Sequence, residues 1–324
     1  MSFQSVYTRQ VYSGLEPSQA FDVVYGGRFE HRLLSSRDTV LHHQRLIIGE
    51  LRLETGCYDF PVIAQGCMPE DGICIGFMVA GGDRTKVNTT ALGPDEIQIY
   101  PAGLELLYHA TGPSRWVNLT VPHELLQRAA TRRLGFSLTL PRQSARSFQL
   151  NPGGCHALTC AVDDALNMAR RMQPAGGLAP DLACVIHDSL LNGYLDALGD
   201  ATAAQGAARS IVERRHHHLI SSCERLVLSG EDADVALADI AQRSGYSLRS
   251  LELIFRRSVG MTPSRWFMTA RLNGALRDML TQGQALSVSE IAGKWGFRHM
   301  SRFAQYFRQA FGESPRDTLR RARS

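Results

Sequence analysis

No run in the 324-residue chain approaches the ~18 consecutive apolar residues that a membrane-crossing helix needs. The opening residues, MSFQSVYTRQ, lack the basic-then-apolar order of a secretory signal. The seven cysteines are an odd number, contain no Cys-x-x-Cys pair and show no zinc-ligand spacing, which argues against a disulfide framework and a zinc finger. These absences lead us to expect a soluble, cytoplasmic protein with reduced thiols, no metal and no cofactor. Strong overall charge is missing too, since the formal balance is only +4. Yet that balance is uneven. From Gly206 onward 19 Lys+Arg stand against 11 Asp+Glu, whereas the first 205 residues hold 16 against 20. A basic end on an otherwise acidic chain points to a polyanionic partner at that end.

The basic end contains one pattern twice. IAQRSGYSLRSLELIFRRSVGMTP runs from Ile240 to Pro263, and IAGKWGFRHMSRFAQYFRQAFGESP from Ile291 to Pro315. Ile240-Ala241 answers to Ile291-Ala292, Gly245-Tyr246 to Gly296-Phe297, Leu251 and Phe255 to Phe303 and Phe307, and Gly260 to Gly312, with one extra residue in the second copy. Gly245 and Gly296 supply the backbone freedom of a sharp turn between two helices, and the aromatic that follows plugs the angle. This is helix-turn-helix geometry. In the first copy Ser247 suits an N-cap, while Leu251, Phe255 and Val259 share one face at intervals of four. Arg249, Ser250, Glu252, Leu253 and Arg256 then face outward. In the second copy Phe303, Phe307 and the residues around Ala310 form the packed stripe, leaving His299, Met300, Ser301, Arg302, Gln305 and Arg308 for a groove. Arginine and glutamine are readers of base edges.

Between the copies Thr262 and Pro263 read as the cap and first position of a long helix. Met268, Leu272, Ala275, Leu276 and Met279 place one buried face along about 18 residues, roughly 27 Å. Such a rod would hold two recognition helices about one duplex turn, roughly 34 Å, apart.

Residues from about 219 to 323 resemble the DNA-binding domain of the AraC/XylS family of bacterial transcription regulators. The resemblance rests on the two phrases above, the RLNGAL of Arg271 to Leu276 and the closing FGESP. The second phrase is most similar to the subgroup containing the ethanolamine-utilisation regulator, a matter of ancestry more than of effector. It implies two helix-turn-helix subdomains, at about 235–260 and 288–312, joined by the long helix. Carried over position by position, it implies base reading by Arg249 and Glu252 in the first helix and by Ser301, Arg302 and Gln305 in the second. Arg256, Arg257 and Arg308 are assigned to phosphate, where they position without specifying. Leu253 departs from the family's pattern, which often has a polar reader there, so the first helix reads fewer bases or meets thymine methyls. Arg298 stands where a small capping residue is usual.

Ahead of this region, LIIGELRLET, DFPVIAQG, GICIGFMVAGG, DEIQIYPAG, LELLYHAT and RWVNLTVP read as short strands over roughly residues 45 to 122. They resemble the cupin-like sensor domains of many AraC/XylS members, with Gly93-Pro94-Asp95 at a hairpin turn. His42 and His43 are adjacent, so in a strand they point to opposite faces and do not share a metal; His31 and His109 are isolated. Phe77, Tyr100, Tyr108 and Trp116 are candidates to stack on a ligand or to fill a core, and Arg45, Arg52 and Arg115 to bind a carboxylate or to be solvated. Residues 123–198 turn helical, with HELLQRAATRRLG as one helix and an irregular connection over Pro141 to Gly154. Leu158, Val162, Ala165 and Leu166 mark a second helix, and Leu182, Val185, Ile186, Leu190 and Tyr194 a third. Packing within the chain and a homodimer contact are both open for them. Residues 199–218 read as a linker, its twelve Gly/Ala-rich residues from Gly199 spanning roughly 19 Å. The three histidines 216–218 splay by about 100° each on a helix and do not converge on a metal.

The expected fold is therefore α+β and multidomain: a cupin-like barrel at 1–122, a helical extension at 123–198, and an all-α double helix-turn-helix domain at 219–324. The expected function is an effector-responsive regulator, not an enzyme, that binds double-stranded promoter DNA and, if it activates, RNA polymerase. Alternatives are a cupin enzyme with a DNA-binding tail and an effector-independent architectural binder. A repair methyltransferase is disfavoured because Cys155-His156 lies in GGCHAL, without that active site's flanking residues.

Overall fold

A computed structural model describes residues 4–20, 27–34, 39–203, 211–228, 237–283 and 285–323. Two antiparallel sheets form the amino-terminal half. The larger follows the order β1 (Ser5–Ser13), β3 (Val40–Ile48), β4 (Leu51–Tyr58), β11 (Ser114–Val121), β6 (Ile73–Ala80), β9 (Glu96–Tyr100), β12 (Arg146–Gln149), β13 (Thr202–Ala203). The smaller follows β2 (Arg28–Leu33), β5 (Val62–Cys67), β10 (Glu105–Ala110), β7 (Thr85–Val87), β8 (Thr90–Ala91).

Strand alternation sorts these residues into layers. Tyr58, Trp116 and Tyr100 of the large sheet meet Phe29, Val62 and Tyr108 of the small one in a shared interior. The opposite face of the large sheet, with Leu53, Ile75, Phe77 and Leu119, is covered by three helices: α1 (His123–Leu134), α2 (Gly154–Met172) and α3 (Pro180–Gly199). Coverage on both sides is why these strands read as nearly continuous apolar runs. On the far side of the small sheet, Ile63 and Leu107 pack against carboxyl-terminal helices.

Several expectations change. The strands begin at Ser5 rather than near residue 45, and β12 lies inside the expected irregular connection. Val185, expected on the packed stripe of α3, is 65% exposed. Phe77 faces Tyr194 of α3, on the opposite side of the sheet from Tyr100, Tyr108 and Trp116. Of the expected linker, 204–210 lie outside the described residues, and α4 (Ile211–Leu228) takes in 211–218 with all three histidines.

The remaining helices are α5 (Leu237–Arg243), α6 (Leu248–Val259), α7 (Pro263–Gln282), α8 (Val288–Lys294), α9 (Met300–Phe311) and α10 (Pro315–Arg323). The first two residues of the expected first unit, 235 and 236, lie outside the described residues. α7 is buried on more than the one face expected of it. Trp266 and Phe267 join the core of α4, α5 and α6, while Leu276 and Met279 join that of α8 and α9. Gly274 lets Trp295 lie against the helix, since a Cβ there would sit 2.2 Å from the indole. The spacer is thus the shared wall of both units.

Candidate nucleic-acid interface

Three turn hydrogen bonds recur in the same register. Ser244 N–H donates to Ile240 O at 3.0 Å, Gly245 to Gln242 O at 3.1 Å and Tyr246 to Ala241 O at 3.0 Å. Trp295 donates to Ile291 O at 3.2 Å, Gly296 to Gly293 O at 2.9 Å and Phe297 to Ala292 O at 2.9 Å. Both glycines take the left-handed region, at φ of 73° and 78°, where an L side chain is strained. Each following helix ends on a left-handed glycine, Gly260 donating to Arg256 O at 3.1 Å and Gly312 to Arg308 O at 2.8 Å.

The packed faces carry the residues expected of them. Ile240, Ala241, Leu251, Phe255 and Val259 are buried in one core, and Ile291, Ala292, Phe303, Phe307 and Phe311 in the other. Phe297 lies 4.7 Å from Phe303 between ring centres, and Pro263 and Pro315 are buried at the starts of α7 and α10. Outward stand Arg249, Arg256 and Arg257 on α6, and Ser301, Arg302, Gln305 and Arg308 on α9, all exposed; Glu252 is half-buried. The helix starts differ. Ser247 accepts from Ser250 N–H at 3.1 Å, whereas the N-cap of α9 is His299, not Arg298, and its side chain makes no capping bond.

The sequence did not reveal how this domain is held to the sheets. Arg32 of β2 donates from both guanidinium ends to Glu224 of α4, at 2.8 and 2.5 Å, and Trp266 Nε1–H donates to the same carboxylate at 2.6 Å. Burial opposes the charge on Arg32, but the Glu224 and Glu30 carboxylates together outweigh it and raise the pKa above the ordinary arginine value. Lys86 of β7 reaches the last turn of α6, donating to Arg257 O at 2.8 Å and Ser258 O at 3.3 Å, where the helix dipole favours a cation. Asn273 of α7 accepts from Leu33 N–H at 2.8 Å and donates to Leu33 O at 3.2 Å. His109 packs edge-on to Trp266, and burial, then Lys86, pushes its pKa down to about 4. These contacts join residues far apart in sequence, so no local pattern announced them.

The sheet arginines singled out from the sequence are paired with the chain's own carboxylates. Arg45 pairs with Glu54 at 2.6 Å, Arg52 with Asp71 at 3.1 Å, and Arg115 with Asp163 of α2. His42 is exposed and His43 buried, on opposite faces, while buried His31 bonds the Tyr58 hydroxyl at 2.8 Å. Among the described residues, no group of three or more His, Cys, Asp or Glu is placed to hold a metal. Burial, then Asp95, pushes the Cys155 thiol up to about 12, far from a reactive thiolate.

Paired turns of this kind, with basic outer helices, define a double helix-turn-helix module. Residues 240–321 match the family described as Helix-turn-helix domain. The transcriptional activator NphR of Rhodococcus sp is 26% identical over 233 residues, which cover 72% of this chain and 64% of NphR. A probable thc operon regulatory protein of Rhodococcus erythropolis is 41% identical over 87 residues, 26% of each chain. The chain therefore spans just under two thirds of the first relative and about a quarter of the second. A Chromobacterium violaceum transcriptional regulator with an AraC-type DNA-binding domain aligns with a TM-score of 0.30 and 25% identity, over 32% of this chain and 92% of that one.

Proposed function

We propose that the protein is a sequence-specific transcription regulator of the AraC/XylS type. The two recognition helices would enter successive major grooves of promoter DNA. The supporting observation is the repeated turn, which presents two basic outer faces while the apolar faces are consumed by α7 and by their own cores. Arg249, Glu252, Ser301, Arg302 and Gln305 read base edges in this proposal, and Arg256, Arg257 and Arg308 hold phosphates. The two-sheet half serves as a cupin-like effector-sensing domain. Its small sheet is one layer thick between the interior and the DNA-binding domain: His31 and Tyr108 face inward, while their neighbours Arg32 and His109 face Glu224 and Trp266. Relatives named as activators favour activation, which would add RNA polymerase as a partner. A homodimer would use the outer faces of α2 and α3.

The test is a gel-shift titration on an operator recovered from bound promoter fragments. Arg302→Ala should cost about 1–3 kcal/mol and relax preference at one operator position. Equal losses on operator and random DNA would remove Arg302 from base reading.

A further inference from the structure

We infer that the first recognition helix reads thymine methyl groups through Leu248 and Leu253, whereas the second reads mainly by hydrogen bonding, so that the operator is chemically asymmetric. This rests on the DNA-reading proposal above. The core of the first unit is complete without these leucines, since Leu251, Ile254, Phe255 and Val259 already fill it. Leu253 nevertheless stays 46% exposed and Leu248 43% exposed. Exposed apolar area of this size is a standing cost in water that a fitting contact would remove.

The repeat register identifies what each position does in the other copy. Phe255 answers to Phe307 and Gly260 to Gly312, so Leu253 answers to Gln305 and Leu248 to Met300. One helix therefore offers two apolar side chains where the other offers one, Met300, 39% exposed, beside a glutamine. Leu253 lies one turn beyond Arg249 and one turn before Arg256, both exposed. Flanking cations favour a polyanion over an apolar protein partner. On the floor of a major groove the apolar feature is the thymine C5-methyl, and the first half of a recognition helix is the part that reaches it.

The experiment uses the full chain. A binding duplex is selected from a randomised pool, and each dT is then replaced in turn by dU, which deletes only the methyl. Two positions within one subsite should each lose about fourfold in affinity, against at most one in the other. Leu253→Ala and Leu253→Gln should each abolish the dU effect at one of those two positions and leave the melting temperature unchanged. If specific binding is found but no dU substitution matters, or if the effect survives in both Leu248→Ala and Leu253→Ala, the methyl-reading inference fails and the regulator proposal stands. If the pool yields no preferred sequence, the DNA-reading proposal itself fails. Binding of a protein partner at Leu253 that DNA does not displace would also overturn the inference.

Discussion

Between Ile240 and Gly260, and again between Ile291 and Gly312, the same three hydrogen bonds close the same angle, yet the two units are held by different means. The first is tied to the sheets by polar groups. Glu224 bonds Arg32 and Trp266, and Lys86 closes the end of α6. The second is built on stacked rings, with Phe303, Phe307 and Phe311 at 5.6 and 4.7 Å and Trp295 seated on Gly274. Polar groups flank this stack, Asp278 accepting from Trp295 Nε1–H and pairing with Lys294, each at 2.8 Å, and Arg277 lying over the Trp295 ring while it pairs with Glu30 of β2 at 2.8 Å. A turn is thus set by a few neighbouring residues, and what surrounds it is free to diverge.

The largest test of this contrast is Glu224→Ala, which leaves the buried Arg32 charge with the longer contact to Glu30, at 3.4 Å, as its remaining ion pair. A loss of about 3–5 kcal/mol in urea unfolding is expected, with hydrogen exchange rising in α4 and α6 before α9. Uniform loosening of both units would break the contrast. Acid should act next and in the same place. Because His109 titrates near 4 in the fold, below the ordinary value of about 6.5, the unfolded chain takes up the proton first. Its neutral form therefore supports the fold fully above about 6.5, and stability is lost as pH falls toward 4. Protection of α4 and the start of α7 should decline over that window, and His109→Gln should blunt the decline; no difference from the parent would exclude His109. Gly274→Ala probes the other unit. The new methyl meets the Trp295 ring, so about 1–3 kcal/mol of overpacking is expected, read as faster exchange in α8 and α9 with α6 unchanged. Smallest is the paired comparison of Arg256→Ala and Arg308→Ala. If each holds one phosphate, each lowers the salt slope of DNA binding by about 0.9, and an unchanged slope excludes that arginine.

The double turn was legible in the sequence because its determinants are local and occur twice: a glycine forced to positive φ, an aromatic after it, and a glycine stop. The packed and outward faces followed from helical period. What escaped was set by distant partners. β1 lies at a sheet edge with mostly exposed residues, so SVYTRQVYS carries no apolar run. β2 reads as polar, RFEHRL, because Glu30 and Arg32 face the other domain, where they meet Arg277 and Glu224. The arginines proposed as carboxylate binders do bind carboxylates, but the chain's own. α7 showed one apolar stripe because Asn273, Gly274 and Asp278, also buried, count for nothing in a hydrophobic period, and because the apolar Trp266 and Phe267 near its start lie off that stripe in the other core.

β2 is the outermost strand of the small sheet, and among the described residues no further strand lies beyond it to take up its main-chain groups. At Leu33 the amide of Asn273 supplies both the missing donor and the missing acceptor, as a neighbouring chain would. The helical domain therefore doubles as a guard against unwanted pairing. Lifting it away would bare that margin, so a freed amino-terminal half is expected to self-associate through β2 unless another segment takes Asn273's place.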